Sequence, residues 1–148
     1  MGWFFDQAIN EALQNFFPEW FEIIFKIITY LGQAIIYIAL LALAFWILNK
    51  KDAIVGFYIL FTTSFLNTFL KLLIKNPRPD HSIRLVEEEN FSTPSGHAQN
   101  SSVMYGWITT YFKKIWMYII VPILVLLICL SRVYLGVHYI GDVIIILY

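Results

Sequence analysis

The chain has 148 residues, of which 59% are hydrophobic and only 14% are charged, and its formal net charge is zero. Soluble domains carry roughly 45–50% apolar and about 25% charged residues, so this composition, with a mean hydropathy of +0.70, predicts an integral membrane protein. A net charge of zero gives no reason to expect nucleic acid as a partner. The single cysteine, Cys129, lies in an apolar run, which excludes a disulfide framework or a cysteine-based metal site.

The N-terminal segment predicts helices that lie in the membrane interface. Residues 1–6 lack the basic region of a signal peptide, and Asp6 stands where an N-myristoylation pattern needs Ser or Thr. Residues 7–17 mix apolar and polar side chains behind three aromatic ones, which is typical of an amphipathic interfacial helix. We therefore assign residues 1–26 to interfacial helices and 27–148 to the transmembrane core of a single domain, 1–148.

Four long apolar stretches follow, and each is long enough to approach the roughly 20 residues of a transmembrane helix. The predicted spans are residues 27–48, 53–73, 98–112 and 115–130. A fifth begins near Tyr139 and reaches only about 15 Å by Tyr148 at 1.5 Å per residue, so we expect the natural protein to continue past Tyr148. The predicted fold class is all-α: a polytopic transmembrane helical bundle with about five visible spans, the last incomplete.

Two lysine pairs set the predicted orientation. Cytoplasmic ends of spans carry an excess of Lys and Arg, so Lys50 with Lys51 and Lys113 with Lys114 should face the cytoplasm. Alternation of the spans then gathers the loop 76–93 and the turn before the fifth span on the outer face. Further basic residues lie on that outer side, although Lys and Arg are usually more frequent on the cytoplasmic side. They are Lys71, Lys75, Arg78, Arg84 and Arg132. Ionisable groups placed at such a cost indicate function.

The start of the third span predicts an anion-binding site. With Ser92 or Thr93 as N-cap, the first helical turn would contain Ser95, Gly96 and His97, whose backbone N–H groups lack helical partners. Gly96 has no side chain to keep an anion from the backbone, and the Ser95 hydroxyl adds a donor. His97 would stand beside the same anion as a candidate proton donor.

A second histidine stands before the fifth span. His138 and Asp142 are four residues apart and are therefore neighbours on one helix face. A carboxylate there can hold one imidazole nitrogen as N–H and leave the lone pair of the other free. This pairing is typical of a nucleophile or a general base.

The same two histidines and carboxylate could instead form the facial triad of a non-haem iron site. Lys71, Arg78 and Arg132 would add three positive charges beside them. Such charges repel a divalent cation and attract a tetrahedral oxyanion, whose oxygens an Arg fork matches in geometry. The sequence thus favours a phosphate site without metal.

The remaining charges of the loop 76–93 have a simpler interpretation. His81 and the acidic run Glu87, Glu88 and Glu89 are predicted to be solvated loop residues.

Three spaced blocks carry a family resemblance. They are Lys71 with six residues before Arg78 and Pro79, then Pro94, Ser95, Gly96 and His97, then Ser131 and Arg132 with five residues before His138 and three more before Asp142. Together they resemble the three-part signature of the type-2 phosphatidic acid phosphatase superfamily. The resemblance implies a bundle that normally has six transmembrane helices and metal-independent, cofactor-free hydrolysis of phosphate esters or pyrophosphates.

The resemblance also implies roles for the residues of the three blocks. His138 would be the nucleophile, Asp142 its orienter and His97 the acid that protonates the leaving oxygen. The phosphate would be held by Lys71, Arg78, Ser95, Gly96 and Arg132.

The predicted partners are membrane lipids and a lipid phosphate or pyrophosphate substrate, with no obligate protein partner. We expect a multi-pass plasma-membrane protein with its site on the outer face. Undecaprenyl pyrophosphate is the first expected substrate, and phosphatidylglycerophosphate and phosphatidic acid types stay open. Two rival classes remain: an oxidase like the vanadium-dependent haloperoxidases of the same superfamily, and a non-catalytic protein that binds or flips lipids.

Overall fold

The computed structural model describes residues 3–47 and 49–147. Over these ranges the chain forms seven α-helices, two short 3-10 turns and no β-strand, which confirms the all-α prediction. The helices are α1 (Ala8–Phe16), α2 (Phe21–Tyr30), α3 (Ala34–Ile47), α4 (Lys50–Ile74), α5 (Gly96–Phe112), α6 (Met117–Tyr134) and α7 (Ile140–Leu147).

Two of the described helices, α4 and α6, are long and apolar enough to cross a membrane. Helices α2 and α3, which meet at a bend of 47°, count as a third span if the pair is one span. The predicted first span therefore begins inside α2, and the boundary drawn after residue 26 falls within that helix. The predicted ends of the first and fifth spans, Leu48 and Tyr148, lie outside the described residues.

The bend between α2 and α3 lies at Gly32, where neighbouring helices approach closely. A Cβ atom on Gly32 would lie 2.8 Å from Cγ2 of Ile128 and 3.1 Å from Cδ2 of His97. A larger residue would push α6 and the start of α5 away from the bend. The bend thus lets the first span pack against the helix that carries His97.

The polar side chains of α5 are buried between α4 and α6. Gln99, Asn100 and Ser101 are all buried, and Asn67 of α4 donates a hydrogen bond of 2.8 Å to Oε1 of Gln99. Hydrogen bonds of this kind join helices within a membrane, where the polar groups have no water to bind. The polar side chains at the start of the third predicted span are therefore enclosed by other helices.

The direction of the helices gathers the predicted site at one end of the bundle. Asn67 near the end of α4 contacts Gln99 and Pro94 at the start of α5, whereas Gly56 near the start of α4 meets Trp107 near the end of α5. The two helices are therefore antiparallel, and both lysine pairs lie at the end away from the loop 76–93.

Helix α1 packs on α6 instead of lying apart from the bundle. Asn10 is fully buried, and its Nδ2 donates to the carbonyl oxygens of Val133 (2.7 Å) and His138 (2.9 Å). Gln14 Nε2 donates to the carbonyl of Tyr134 at 2.7 Å. The predicted interfacial helix is therefore also a support for the turn between α6 and α7.

Candidate active site

The end of α4, the start of α5 and the turn before α7 surround a cavity of about 260 Å³. Five of the predicted site residues line it: Lys71, Arg78, Gly96, His97 and His138. The other three, Ser95, Arg132 and Asp142, are buried next to it. The three sequence blocks therefore meet at one place, and both histidines reach the same cavity.

The position of His138 depends on a turn that only glycine makes easily. Gly136 has φ +70°, and a Cβ atom there would lie 2.2 Å from the carbonyl oxygen of Ile83. The turn follows the end of α6 and delivers His138, which is 1% exposed, to the cavity wall. Asn10 fixes the carbonyl of His138 from the other side.

Asp142 holds one nitrogen of this histidine and is itself held by several donors. His138 Nδ1 lies 3.3 Å from Oδ2 of Asp142. The hydroxyls of Ser92 and Thr93 donate to the two carboxylate oxygens, and the backbone N–H of Tyr139 donates to Oδ2 at 2.8 Å. This many donors favours the ionised carboxylate.

These contacts correct the predicted N-cap of α5. Ser92 and Thr93 bind Asp142, and the N-cap is Ser95, whose hydroxyl oxygen accepts from the N–H of Ala98 at 3.4 Å. The helix accordingly begins at Gly96, and the backbone N–H of Ser95 donates to the carbonyl of Asp142 at 3.1 Å. The sequence places Ser92, Thr93 and Ser95 within four residues, and each of them could cap the helix. Only the contact of the first two with Asp142, which is distant in sequence, shows that Ser95 is the cap.

The second nitrogen of His138 faces Arg78. Nε2 lies 3.3 Å from an Arg78 guanidinium nitrogen, which also donates to the carbonyl of Val137 at 2.7 Å. Burial lowers the pKa of His138, and the charges of Arg132 and Arg78 lower it further, against the opposite effect of Asp142. The imidazole is therefore neutral near pH 7, and the guanidinium beside Nε2 favours the tautomer with its lone pair on that nitrogen.

Backbone carbonyls of the loop hold the Arg78 side chain in place. Nε donates to the carbonyl of Asn90 and a terminal nitrogen donates to that of Glu89, both at 3.0 Å. Burial lowers the pKa of Arg78 to about 10, with Glu88 acting in the opposite direction. Arg78 thus stays positively charged at neutral pH.

Arg132 and Glu88 form an ion pair at the edge of the cavity. Arg132 is 2% exposed and donates to Oε1 of Glu88 at 2.5 Å and to the hydroxyl of Thr29 at 3.0 Å. Its Nε has no hydrogen-bond partner among the described residues. Oε2 of Glu88 lies 3.7 Å from Arg78, so one carboxylate connects two of the cations predicted to bind phosphate.

The prediction that Glu88 is a solvated loop residue is therefore wrong. Its side chain is 30% exposed and lines the cavity, because the loop folds back over the site. Glu87, Glu89 and His81 are exposed, as predicted, although Glu89 also lines the cavity. Three consecutive glutamates carry no signal that distinguishes the middle one, so sequence reasoning had no means of finding it.

Lys71 and His97 complete the cavity wall. Lys71 donates to the carbonyls of Phe91 and Ser92, which anchors the chain just before α5. His97 has a buried Nε2 with no hydrogen-bond partner among the described residues. Since His97 also lines the cavity, this nitrogen is suited to bind a group that enters it.

The space at Gly96 is limited by α4. A Cβ atom on Gly96 would lie 3.2 Å from Oδ1 of Asn67. The residue therefore keeps the first turn of α5 close to the cavity, where the positive end of the helix favours an anion. In residues 3–47 and 49–147, no three His, Cys, Asp or Glu side chains gather in a way that could hold a metal ion.

Comparisons with known proteins identify the family of the chain. The family model of the PAP2 superfamily matches residues 52–146. Phosphatidylglycerophosphatase B of Bacillus subtilis (strain 168) is 32% identical over 151 residues, which cover 93% of this chain and 74% of the relative.

Two crystal structures are similar to the whole fold. One is the first transmembrane PAP2 type phosphatidylglycerolphosphate phosphatase from Bacillus subtilis, with a TM-score of 0.83, 31% identity and coverage of 93% of this chain and 74% of the other. The second is LpxE of Aquifex aeolicus, with a TM-score of 0.74, 23% identity and coverage of 93% and 85%. At that identity LpxE supports the fold alone.

Proposed function

The chain belongs to the PAP2 superfamily and is a membrane lipid phosphatase, and we propose that His138 is the nucleophile through which it removes a terminal phosphate. The observation that carries this proposal is the placement of His138 and His97 on one cavity, with Asp142 behind the first of them. Nε2 of His138 attacks phosphorus, and the new N–P bond forms as the bond to the leaving oxygen breaks.

His97 is the proposed proton donor in this step. Its buried Nε2 gives a proton to the departing oxygen and later takes one from the water that attacks the phosphohistidine. The second attack releases inorganic phosphate and returns His138 to its neutral form. Each histidine thus ends the cycle in the state in which it began.

The cations carry most of the proposed acceleration. Phosphoryl transfer spreads charge over the three equatorial oxygens, and fixed donors stabilise that charge without reorganisation. Arg78, Arg132, Lys71 and the first turn of α5 would supply them, without a metal ion. The incoming phosphate competes with the carboxylate of Glu88 for both arginines.

We further propose phosphatidylglycerophosphate as the first substrate to test, because a relative with 32% identity is a phosphatidylglycerophosphatase. Undecaprenyl pyrophosphate, the first expectation from the sequence, stays a prediction. The outer location of the site also stays a proposal, and the lysine pairs at the opposite end of the bundle support it.

The test is phosphate release by the purified full chain in detergent from phosphatidylglycerophosphate, phosphatidic acid and undecaprenyl pyrophosphate, with and without EDTA. We expect EDTA-resistant turnover of one of them, a transient phosphorylated chain that is stable in alkali and lost in acid, and neither in His138→Ala. His81→Ala is the matched control, because that histidine is exposed outside the cavity. Full activity of His138→Ala, or a strict need for an added divalent metal, would overturn the proposal.

A further inference from the structure

A second cavity lies at the opposite end of the bundle from the active site. Helices α3, α4 and α5 enclose an apolar groove of about 410 Å³, lined by side chains such as Leu43, Ala44 and Trp107. Ligand sites in proteins commonly measure about 300–1,000 Å³. Asp52 at the groove and Lys71 at the active site are separated along α4 by roughly 28 Å at 1.5 Å per residue, so the two cavities are separate.

Four lysines lie close in sequence to residues that line this groove. Lys50 and Lys51 open α4 next to Asn49 and Asp52, two of the residues that line the groove. Lys113 and Lys114 follow Phe112, which lines it from the end of α5. All four lysines are exposed, whereas Asp52 carries the one carboxylate among the described lining residues.

The amino end of α4 adds to this positive charge. The Asn49 side chain accepts a hydrogen bond of 2.9 Å from the N–H of Lys51, so α4 begins at the mouth of the groove. The positive end of a helix favours an anion in its first turn. The apolar groove thus ends in a rim of positive charge. This arrangement is complementary to an anionic phospholipid, whose apolar chains end in a negatively charged headgroup.

We propose that the groove binds one anionic phospholipid from the leaflet on the lysine side of the bundle. One acyl chain lies between α3 and α5, against Leu43 and Trp107, and the phosphate lies among the lysines. Basic pockets between transmembrane helices bind anionic headgroups in this way. A second copy of the chain is a poorer occupant, because an aligned copy would bring the same four lysines to the same depth.

The test is native mass spectrometry of the full chain released from detergent after addition of phosphatidylglycerol or phosphatidylcholine with the same acyl chains. We expect one phosphatidylglycerol to be retained with a preference of about tenfold over phosphatidylcholine, since each lysine near the headgroup favours the anion. Replacement of Lys50, Lys51, Lys113 and Lys114 by Gln should remove the preference. Ala44→Trp, which fills the groove, should remove retention of both lipids.

Lys75→Gln is the matched control, because this exposed lysine lies at the active-site end. Its lipid retention should equal that of the wild type. Turnover of a lipid phosphate should persist in every variant, which shows that each one folds. Equal retention of the two lipids by the wild type, unchanged retention in the four-lysine or Ala44→Trp variant, or a dimer without bound lipid would overturn the proposal.

Discussion

Nδ1 of His138 lies 3.3 Å from Oδ2 of Asp142, one helical turn further along the chain, and both side chains are buried. Asp142→Asn keeps the shape of the side chain but can present an N–H to the ring where a carboxylate stood. We expect a fall in kcat of about 10²–10⁴-fold, because the ring is then held in the wrong tautomer. Steady-state kinetics with phosphatidylglycerophosphate as substrate measures this fall in kcat.

The matched control for this substitution is Asp80→Asn. Asp80 is exposed and accepts from the N–H of Ser82, outside the cavity. Its activity should match the wild type, and an Asp142→Asn enzyme of wild-type activity would contradict the role of Asp142.

The pH dependence should reflect the lowered pKa of His138. Burial is the main cause of the shift, so the neutral, nucleophilic ring persists below the ordinary histidine value of about 6.5. The acid limb of kcat/KM should therefore lie below pH 6.5. An acid limb at or above pH 6.5 would contradict this expectation.

The same shift predicts lower stability in acid. Below about pH 6.5 the unfolded chain binds a proton on this histidine, whereas the folded chain binds it only at lower pH. The free energy of unfolding should therefore decrease as the pH falls through this window. Thermal unfolding in detergent at several pH values measures the effect, and it should be smaller in His138→Ala.

The loss of activity caused by His97→Asn should depend on the leaving group of the substrate. A lipid alcohol needs a proton as it departs, so the loss on a lipid phosphate should be about 10²–10⁴-fold. An aryl phosphate such as p-nitrophenyl phosphate departs without one, so its loss should be much smaller. His81→Asn serves as the control, and equal losses on both substrates would contradict the proposed acid.

Glu88→Gln should tighten inhibition by inorganic phosphate. The glutamate carboxylate pairs with Arg132 and lies 3.7 Å from Arg78, so an entering phosphate must displace it. We expect the inhibition constant to fall by about two- to fivefold, the range of a partly exposed ion pair. The Tm should also fall, because buried Arg132 loses its counter-charge.

Glu87→Gln is the control for this change, since the preceding glutamate is exposed. It should leave both the inhibition constant and the Tm unchanged. Weaker phosphate inhibition in Glu88→Gln would show that the carboxylate helps to hold the anion instead of competing with it.

Gly136→Ala should destabilise the turn that carries His138. The added Cβ would lie 2.2 Å from the carbonyl oxygen of Ile83, in a backbone conformation that alanine rarely adopts. We expect a cost of about 1–3 kcal/mol, with lower Tm and activity. Gly106→Ala is the control, because nothing lies within 4 Å of its Cβ position, and an equal loss there would contradict the steric argument.

The gathering of the three blocks could be predicted from the sequence because it depends on simple geometry. Apolar lengths locate the long helices approximately, and alternation of direction decides which loops share an end of the bundle. The spacing of His138 and Asp142 fixes their contact, since residues four apart share a helix face.

The supporting contacts could not be predicted, because they join residues far apart in sequence through loop conformation. Nothing near Asn10 indicates that its amide binds the carbonyl of His138. The role of Glu88 likewise depends on how the loop folds over Arg132. The bend at Gly32 lies within an apolar stretch, and hydropathy does not indicate where the axis of a helix changes direction.

The contacts of Asn10 with Val133 and His138 have a consequence for biosynthesis. The segment that becomes α1 leaves the ribosome more than a hundred residues before its docking partners do. At roughly 5–20 residues per second, it waits on the order of ten seconds before these contacts can form. The turn that carries His138 thus acquires its final shape only after the end of α6 and His138 have been synthesised. Nascent chains shorter than this should therefore be inactive.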